Sequence, residues 1–267
     1  MLKDVTLGQF FPGNSIAHKL DPRTKLILTV FYIVALFCAK SFVSYGLMVA
    51  LLILAVKVSG VAPKALVRGL KPVLIIICFT AVLNLFYTPG EPLVSFWIFK
   101  ITKEGVFTAF FMVLRISMLI MGTFLLTYTT SPISLTDGLE SLMGPLKVIR
   151  VPVHELSMMM CIALRFIPTL IEETDKIMSA QKARGADFET GNLMQKVKAL
   201  IPILVPLFIS AFRRADELAT AMECRCYQGG DGRTKMKLLR YRRGDLIAYG
   251  VGILLVAGVI TLVQFGL

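Results

Sequence analysis

Apolar residues fill five long runs of this chain, Leu26–Ala39, Phe42–Val56, Val73–Tyr87, Val106–Thr130 and Leu246–Leu267, with charged residues gathered between and around them. Judged against the ~20 residues a helix needs to cross a bilayer, the runs predict five transmembrane helices. The first two are short, so flanking residues, tilt or local bilayer thinning must supply the difference. The N-terminus is polar and the first run begins only after Lys25. No cleavable signal peptide is expected, and the first span itself serves as the insertion signal.

Between the fourth and fifth runs the pattern changes. Leu156–Leu170 and Ala199–Phe212 are apolar, yet each continues directly into a charged helical stretch, Glu172–Arg184 and Arg213–Arg225. A helix apolar over half its length and amphipathic over the rest suits a surface where lipid, protein and water meet. Counting both stretches as full spans would raise the number to seven and put one charged helix end outside; keeping both ends on one side favours five. The predicted fold class is all-α: a polytopic membrane protein with about five transmembrane helices and a partly amphipathic helical region. Its organisation is an N-terminal region with four spans (1–130), the amphipathic helices (131–244) and a final span (245–267).

Proline and glycine mark the joints. Ser131-Pro132 and Gly144-Pro145 bracket a short helix containing Leu135, Leu139 and Leu142, and Val151-Pro152 opens the next. Pro168, Pro202 and Pro206 fall inside helical patterns and are expected to kink or interrupt them. Ahead of the first run, Asp21 is placed to cap a helix whose first position is Pro22, with Arg23 and Lys25 as anchors at the membrane surface.

Composition agrees with the membrane reading: 56% of residues are hydrophobic and the mean hydropathy is +0.74. Charge then sets the orientation. Lys3, Lys19, Arg23 and Lys25 precede the first span, and Lys57, Lys64, Arg68 and Lys71 lie between the second and third, which predicts that both segments are cytoplasmic. Lys40 stands alone on the other side, and Lys100 and Lys103 are matched by Glu91 and Glu104. The segment 131–244, with 17 Lys and Arg, is then a cytoplasmic loop. Its Gly229–Gly232 turn leads to Arg233, Lys235, Lys237, Arg240, Arg242 and Arg243, a basic run that anchors the last helix against anionic headgroups.

The two charged helical stretches end alike. Aligned on Arg184 and Arg225, each has an alanine four residues earlier (Ala180, Ala221), an acidic residue nine earlier (Asp175, Asp216) and a proline further upstream (Pro168, Pro206). A single arginine in a last helical turn only complements the helix dipole. Two in matched settings point to two helix tips, each presenting a forked cation to a partner. Gly185 is placed to end its helix in the left-handed conformation.

The pattern Ser15 to His18-Lys-Leu-Asp21-Pro22-Arg23-Thr-Lys25, the two arginine-tipped helices and the lone final span resemble the transmembrane T component (EcfT type) of energy-coupling factor transporters, over essentially the whole chain. The resemblance implies a non-catalytic scaffold joining two cytoplasmic ABC-type ATPase subunits to a substrate-binding membrane S component for vitamin or micronutrient uptake. In that family the coupling helices end in Ala-Arg-Gly or, more loosely, X-Arg-X. Ala183-Arg184-Gly185 fits the strict form and Cys224-Arg225-Cys226 the loose one, so these six residues are the expected ATPase-binding sites. A T component of a dedicated cobalt or nickel importer is the alternative within the class, and a polytopic membrane enzyme the alternative outside it.

Other chemistry is sparse. No G-x-x-x-x-G-K-[ST] phosphate loop occurs, so ATP is expected to be bound by partner subunits, with no cofactor on this chain. His18 and His154 have no metal-ligand spacing, and His154-Glu155 reads as a helix start. Cys38, Cys78 and Cys161 lie in apolar runs, and Cys224 and Cys226 lack a second pair for zinc. Neither metal nor nucleic acid is expected as a partner; the lipid membrane is. Arg115, about ten residues into the fourth run, is either a tether to a neighbouring helix or partner, or a side chain reaching the interface. Arg165 reads as structural. Methionines on the apolar faces, among them Met112, Met118, Met121, Met143 and Met158–Met160, offer adaptable packing for more than one partner.

Overall fold

The computed structural model describes residues 10–39, 41–89, 92–96, 99–186, 188, 192–230 and 238–264. Its elements are α1 (Ile16–Lys19), α2 (Pro22–Cys38), α3 (Phe42–Ser59), α4 (Pro63–Leu70), α5 (Leu74–Tyr87), β1 (Pro92–Phe96), β2 (Phe99–Thr102), α6 (Lys103–Thr129), α7 (Pro132–Leu142), α8 (Val153–Ala183), α9 (Leu193–Cys224) and α10 (Arg243–Gln264). The described residues form two compact units, one holding α1–α7 with α10 and the other built on α8 and α9.

In the unit that holds α1–α7 and α10, α6 is the central helix, packing against α2, α3, α4 and α5, while α2 also lies along α10. The caps follow from local chemistry. The Asp21 carboxylate accepts from the Arg23 N–H with Pro22 in the first turn of α2, and the Thr102 hydroxyl accepts from the Gly105 N–H at the start of α6. Gly60, at φ 68°, closes α3 in the left-handed conformation. The buried core joins Tyr32, Ala35 and Leu36 of α2 to Met48 and Leu52 of α3, Met118 of α6 and Leu255 and Val259 of α10. Where α2 meets α6, the Tyr32 ring lies over Gly122: a Cβ there would fall 2.4 Å from Tyr32 Cε1. The Tyr32 hydroxyl donates to the Met118 carbonyl at 3.1 Å. Close approach through a small residue, plus one interhelical hydrogen bond, is a common way for helices to pack in lipid. Outward faces are apolar, Ile75 being 77% and Leu254 75% exposed, as lipid-facing positions require.

Among the described residues, five helices are long and apolar enough to cross a membrane: Phe42–Ser59, Pro63–Tyr87, Lys103–Thr129, Val153–Ala183 and Arg243–Gln264. The expected number recurs with a different membership. The first apolar run forms a helix of only 17 residues, about 25 Å against a hydrocarbon core of ~30 Å. The apolar half of α8, by contrast, sits in one continuous helix of 31 residues. The run Val73–Tyr87 is extended backwards by α4 and a 3-10 turn at Lys71–Val73. Between α5 and α6 an antiparallel hairpin, with Ser95 opposite Lys100 and Phe96 opposite Phe99, was not expected from sequence.

The other unit is built on α8 and α9, which pack against each other. Pro168 lies inside α8, and Pro202 and Pro206 inside α9, yet neither helix is interrupted, contrary to one of the two expectations. Each proline removes a single backbone hydrogen bond, which long helices packed side by side tolerate. The start of α9 is fixed by a capping box, the Asn192 N–H donating to Gln195 Oε1 at 3.0 Å. Of the basic run before α10, Arg233, Lys235 and Lys237 lie outside the described residues, while Arg240, Arg242 and Arg243 are exposed.

Candidate functional site

Both arginines stand where their helices stop. Arg184 is the C-cap of α8 and Arg225 the C-cap of α9. Beyond Arg184, the Gly185 N–H donates to the Lys182 carbonyl (3.0 Å) and the Ala186 N–H to that of Gln181 (3.0 Å); beyond Arg225, the Cys226 N–H donates to Glu223 (2.8 Å) and the Tyr227 N–H to Met222 (3.1 Å). These are two copies of the Schellman ending, in which the residue after the cap is left-handed. Gly185 takes that position at φ 89° and Cys226 at φ 55°. Cysteine there bears a Cβ penalty of roughly 1 kcal/mol that glycine avoids, so the second tip keeps its geometry without the usual residue.

The likeness continues upstream. Ser179 Oγ donates to the Asp175 carbonyl (2.7 Å) and Thr220 Oγ1 to the Asp216 carbonyl (2.9 Å), at matching places in the two helices. Between the helices, Arg214 Nη2 meets Glu173 Oε2 at 3.0 Å, and the Ser210 hydroxyl donates to Glu173 Oε1. This tie lies eleven residues before each tip (184 − 173 and 225 − 214). At 1.5 Å per residue, each arginine stands about 16 Å along its own helix from a common fastening point. Further along, Gln181 Nε2 donates to the Pro202 carbonyl at 3.4 Å, so α8 and α9 run in opposite directions past the tie. The side chains of Arg214 and Glu173 are 35% and 23% exposed, and a pair that wet adds little stability. Its contribution is to fix where the two tips stand. Sequence reading missed Glu173, Ser210 and Arg214; the 41-residue offset that aligns Arg184 with Arg225 also aligns Glu173 with Arg214, and would have shown opposite charges at equivalent positions.

All six expected site residues, Ala183, Arg184, Gly185, Cys224, Arg225 and Cys226, are exposed. Neither tip guanidinium bonds to another described residue. Each tip therefore offers a cation with five free donors on a helix end fixed by its cap. The five cysteines are free thiols, and no group of three metal-ligating side chains occurs among the described residues.

The charged motif before the first span is built differently from expectation. Asp21 caps α2 as foreseen, but Lys25 is buried, its ammonium donating to the carbonyls of Thr129 (2.9 Å) and His18 (3.4 Å). Arg23 Nη2 donates to the Leu239 carbonyl at 3.0 Å, and its guanidinium lies 5.0 Å from the Tyr241 ring centroid. Lys25 and Arg23 thus act inside the protein. Arg115 resolves as a tether: its Nε donates to the Tyr45 hydroxyl (2.8 Å) and its Nη2 to the Ala39 carbonyl (3.1 Å), so its charge is satisfied by the end of α2 and by α3.

The helices that can cross a membrane define a multi-pass membrane protein, and two of its helices end in exposed, alike-capped arginines. The CbiQ family, described as cobalt transport protein, matches residues 13–236. Relatives named energy-coupling factor transporter transmembrane protein EcfT include one from Thermosediminibacter oceani, 53% identical and covering 97% of this chain and 98% of the relative. One from Clostridium kluyveri is 57% identical with 93% of each chain covered, and one from Lactococcus lactis is 45% identical, covering 91% and 92%. This chain belongs to the EcfT family, the transmembrane components of energy-coupling factor transporters. Its relatives are named as transporter components rather than as enzymes.

Proposed function

We propose that the chain is the scaffold and coupling subunit of an importer, passing ATP-driven motion from two cytoplasmic ABC-type ATPase subunits to a substrate-binding membrane S component that takes up a vitamin or other micronutrient. The observation that carries this reading is the pair of equivalent tips: two helices, tied at equal distances from their ends, each present one arginine that bonds to no other described residue. One tip per ATPase subunit uses both. A second surface supports an apolar partner, because α9 exposes Val197, Ile201, Leu204, Phe208 and Phe212 along one stripe at helical spacing. ATP chemistry belongs to the partners. Purified alone, the chain should neither bind nor hydrolyse ATP, while the complex with ATPase subunits and an S component should copurify and hydrolyse it; saturable nucleotide binding by the isolated chain would sink this reading.

The N-terminus and the 131–244 region are assigned to the cytoplasm from the distribution of Lys and Arg. In a background lacking the native thiols, cysteines placed at Arg68 and Thr234 should react with an impermeant reagent only from the cytoplasmic side, and one at Gly90 only from outside. Labelling of position 234 from outside would reverse the orientation. A second reading, a dedicated cobalt importer, is favoured only by the family's description; the ligand retained by the copurified S component, an organic vitamin or a divalent cation, decides between them.

A further inference from the structure

A cavity of about 380 Å³ lies inside the unit that contains α1–α7 and α10, between the first halves of α2 and α10 and the last halves of α3 and α6, with α1 beside it. Its walls include Leu28, Leu51, Leu125, Val251 and Leu255. The hydroxyls that line it are already used: Thr29 donates to the Lys25 carbonyl and Thr129 to the Leu125 carbonyl. Among the described residues, one charge faces this apolar space, Lys25, which is 8% exposed. An ammonium has three donors, and those of Lys25 meet two neutral carbonyls.

The nearest acidic groups, Asp245 and Asp21, attract the Lys25 ammonium through space but do not touch it, their oxygens being taken by backbone amides. Asp245 accepts from the N–H groups of Asp21 and Arg242, Asp21 accepts from that of Arg23, and Lys25 forms no ion pair among the described residues. The cavity therefore has a polarity. Its cationic end lies in the first turn of α2, level with the helix ends, and its apolar end reaches Tyr32, Leu52 and Leu255 toward the middle of the bundle. A membrane phospholipid has the same polarity in the same direction, and the volume falls within the usual range for one small ligand.

We propose that this cavity is a binding site for a single anionic phospholipid, which places one acyl chain among the leucines and a phosphate oxygen against the Lys25 ammonium. The site gives the charged motif before α2 a ligand as well as a structural task. A zwitterionic lipid fills the same apolar space with a weaker hold, because a juxtamembrane lysine favours net negative headgroups by about fivefold.

The test uses the full chain in detergent, stripped of lipid and titrated with phosphatidylglycerol or phosphatidylcholine, with bound lipid counted by native mass spectrometry. The parent should hold one phosphatidylglycerol about fivefold more tightly than phosphatidylcholine. Lys25→Gln, which keeps a donor for the carbonyls, should bring the two lipids level. Ala248→Phe, which fills the cavity from α10, should lose both, and Ala55→Phe makes the same test from α3 should the first variant not fold. Equal binding of the two lipids by the parent, or undiminished binding by a folded cavity-filling variant, overturns the proposal.

Discussion

Replacing Arg184 or Arg225 by alanine is expected to abolish most of the chain's capacity to assemble with the ATPase subunits proposed as its partners, while leaving membrane insertion intact. Both side chains are exposed in the isolated chain and bond to no other described residue. They lose little by becoming alanine until a partner closes over them. Once docked, a guanidinium makes charge-assisted, often bidentate bonds to carboxylates or helix-end carbonyls. Truncation then leaves the partner's group buried and unpaired, at a cost of roughly 2–5 kcal/mol, thirtyfold or more in affinity. Arginine to lysine should rescue poorly, because an ammonium lacks the planar fork. The double variant should fall below either single one, since two contacts on one rigid helix pair raise each other's effective concentration. Arg233→Ala, in the basic run, should change little. Pull-down of the ATPase subunits and uptake in cells read these effects; single alanine variants that assemble and transport like the parent would reduce the tips to ordinary helix-end charges.

The tips were legible in the sequence because their chemistry is local. An arginine followed by glycine at the end of an amphipathic run announces a left-handed cap, and Gly185 adopts it at φ 89°. Asp21-Pro22 announces a helix start and makes one. What a single sequence hides is pairing over distance. Glu173 and Arg214 read as two charges on two helix faces until the helices are laid together. Lys25 reads as a surface anchor because its partners are backbone carbonyls, among them that of Thr129, which carry no sequence signature. Arg115 left two readings open for the same reason: the Ala39 carbonyl and Tyr45 hydroxyl that hold it lie at a helix junction. Helix length and apolar pattern do not pick out the same helices. Pro22–Cys38 belongs to the bundle core although it is short for a crossing helix, and Val153–Ala183 is long enough although most of its charged residues gather in its second half.

Asp245 shows the same effect at its strongest, and its replacement by alanine should be the most destabilising single change among the polar residues of the bundle. By position it is one acidic residue behind a run of basic ones, the natural reading being a first-turn charge that complements the helix dipole. In the fold it is 1% exposed. Its Oδ1 accepts from the Asp21 N–H at 2.9 Å and its Oδ2 from the Arg242 N–H at 2.7 Å, so one carboxylate joins the entry of α2 to the entry of α10. Alanine would leave two amides without acceptors, at about 1–3 kcal/mol each, and open a small void beside them. A loss of roughly 2–6 kcal/mol is expected in all. Asparagine retains one acceptor and should lose about half as much, whereas Arg243→Ala, exposed two residues earlier, should stay within ~0.5 kcal/mol of the parent. Thermal unfolding of the three variants in one detergent measures the order. If Asp245→Ala unfolds at the same temperature as Arg243→Ala, the carboxylate does not fasten the two helix entries, and the joining of α2 to α10 must rest on their apolar contacts alone.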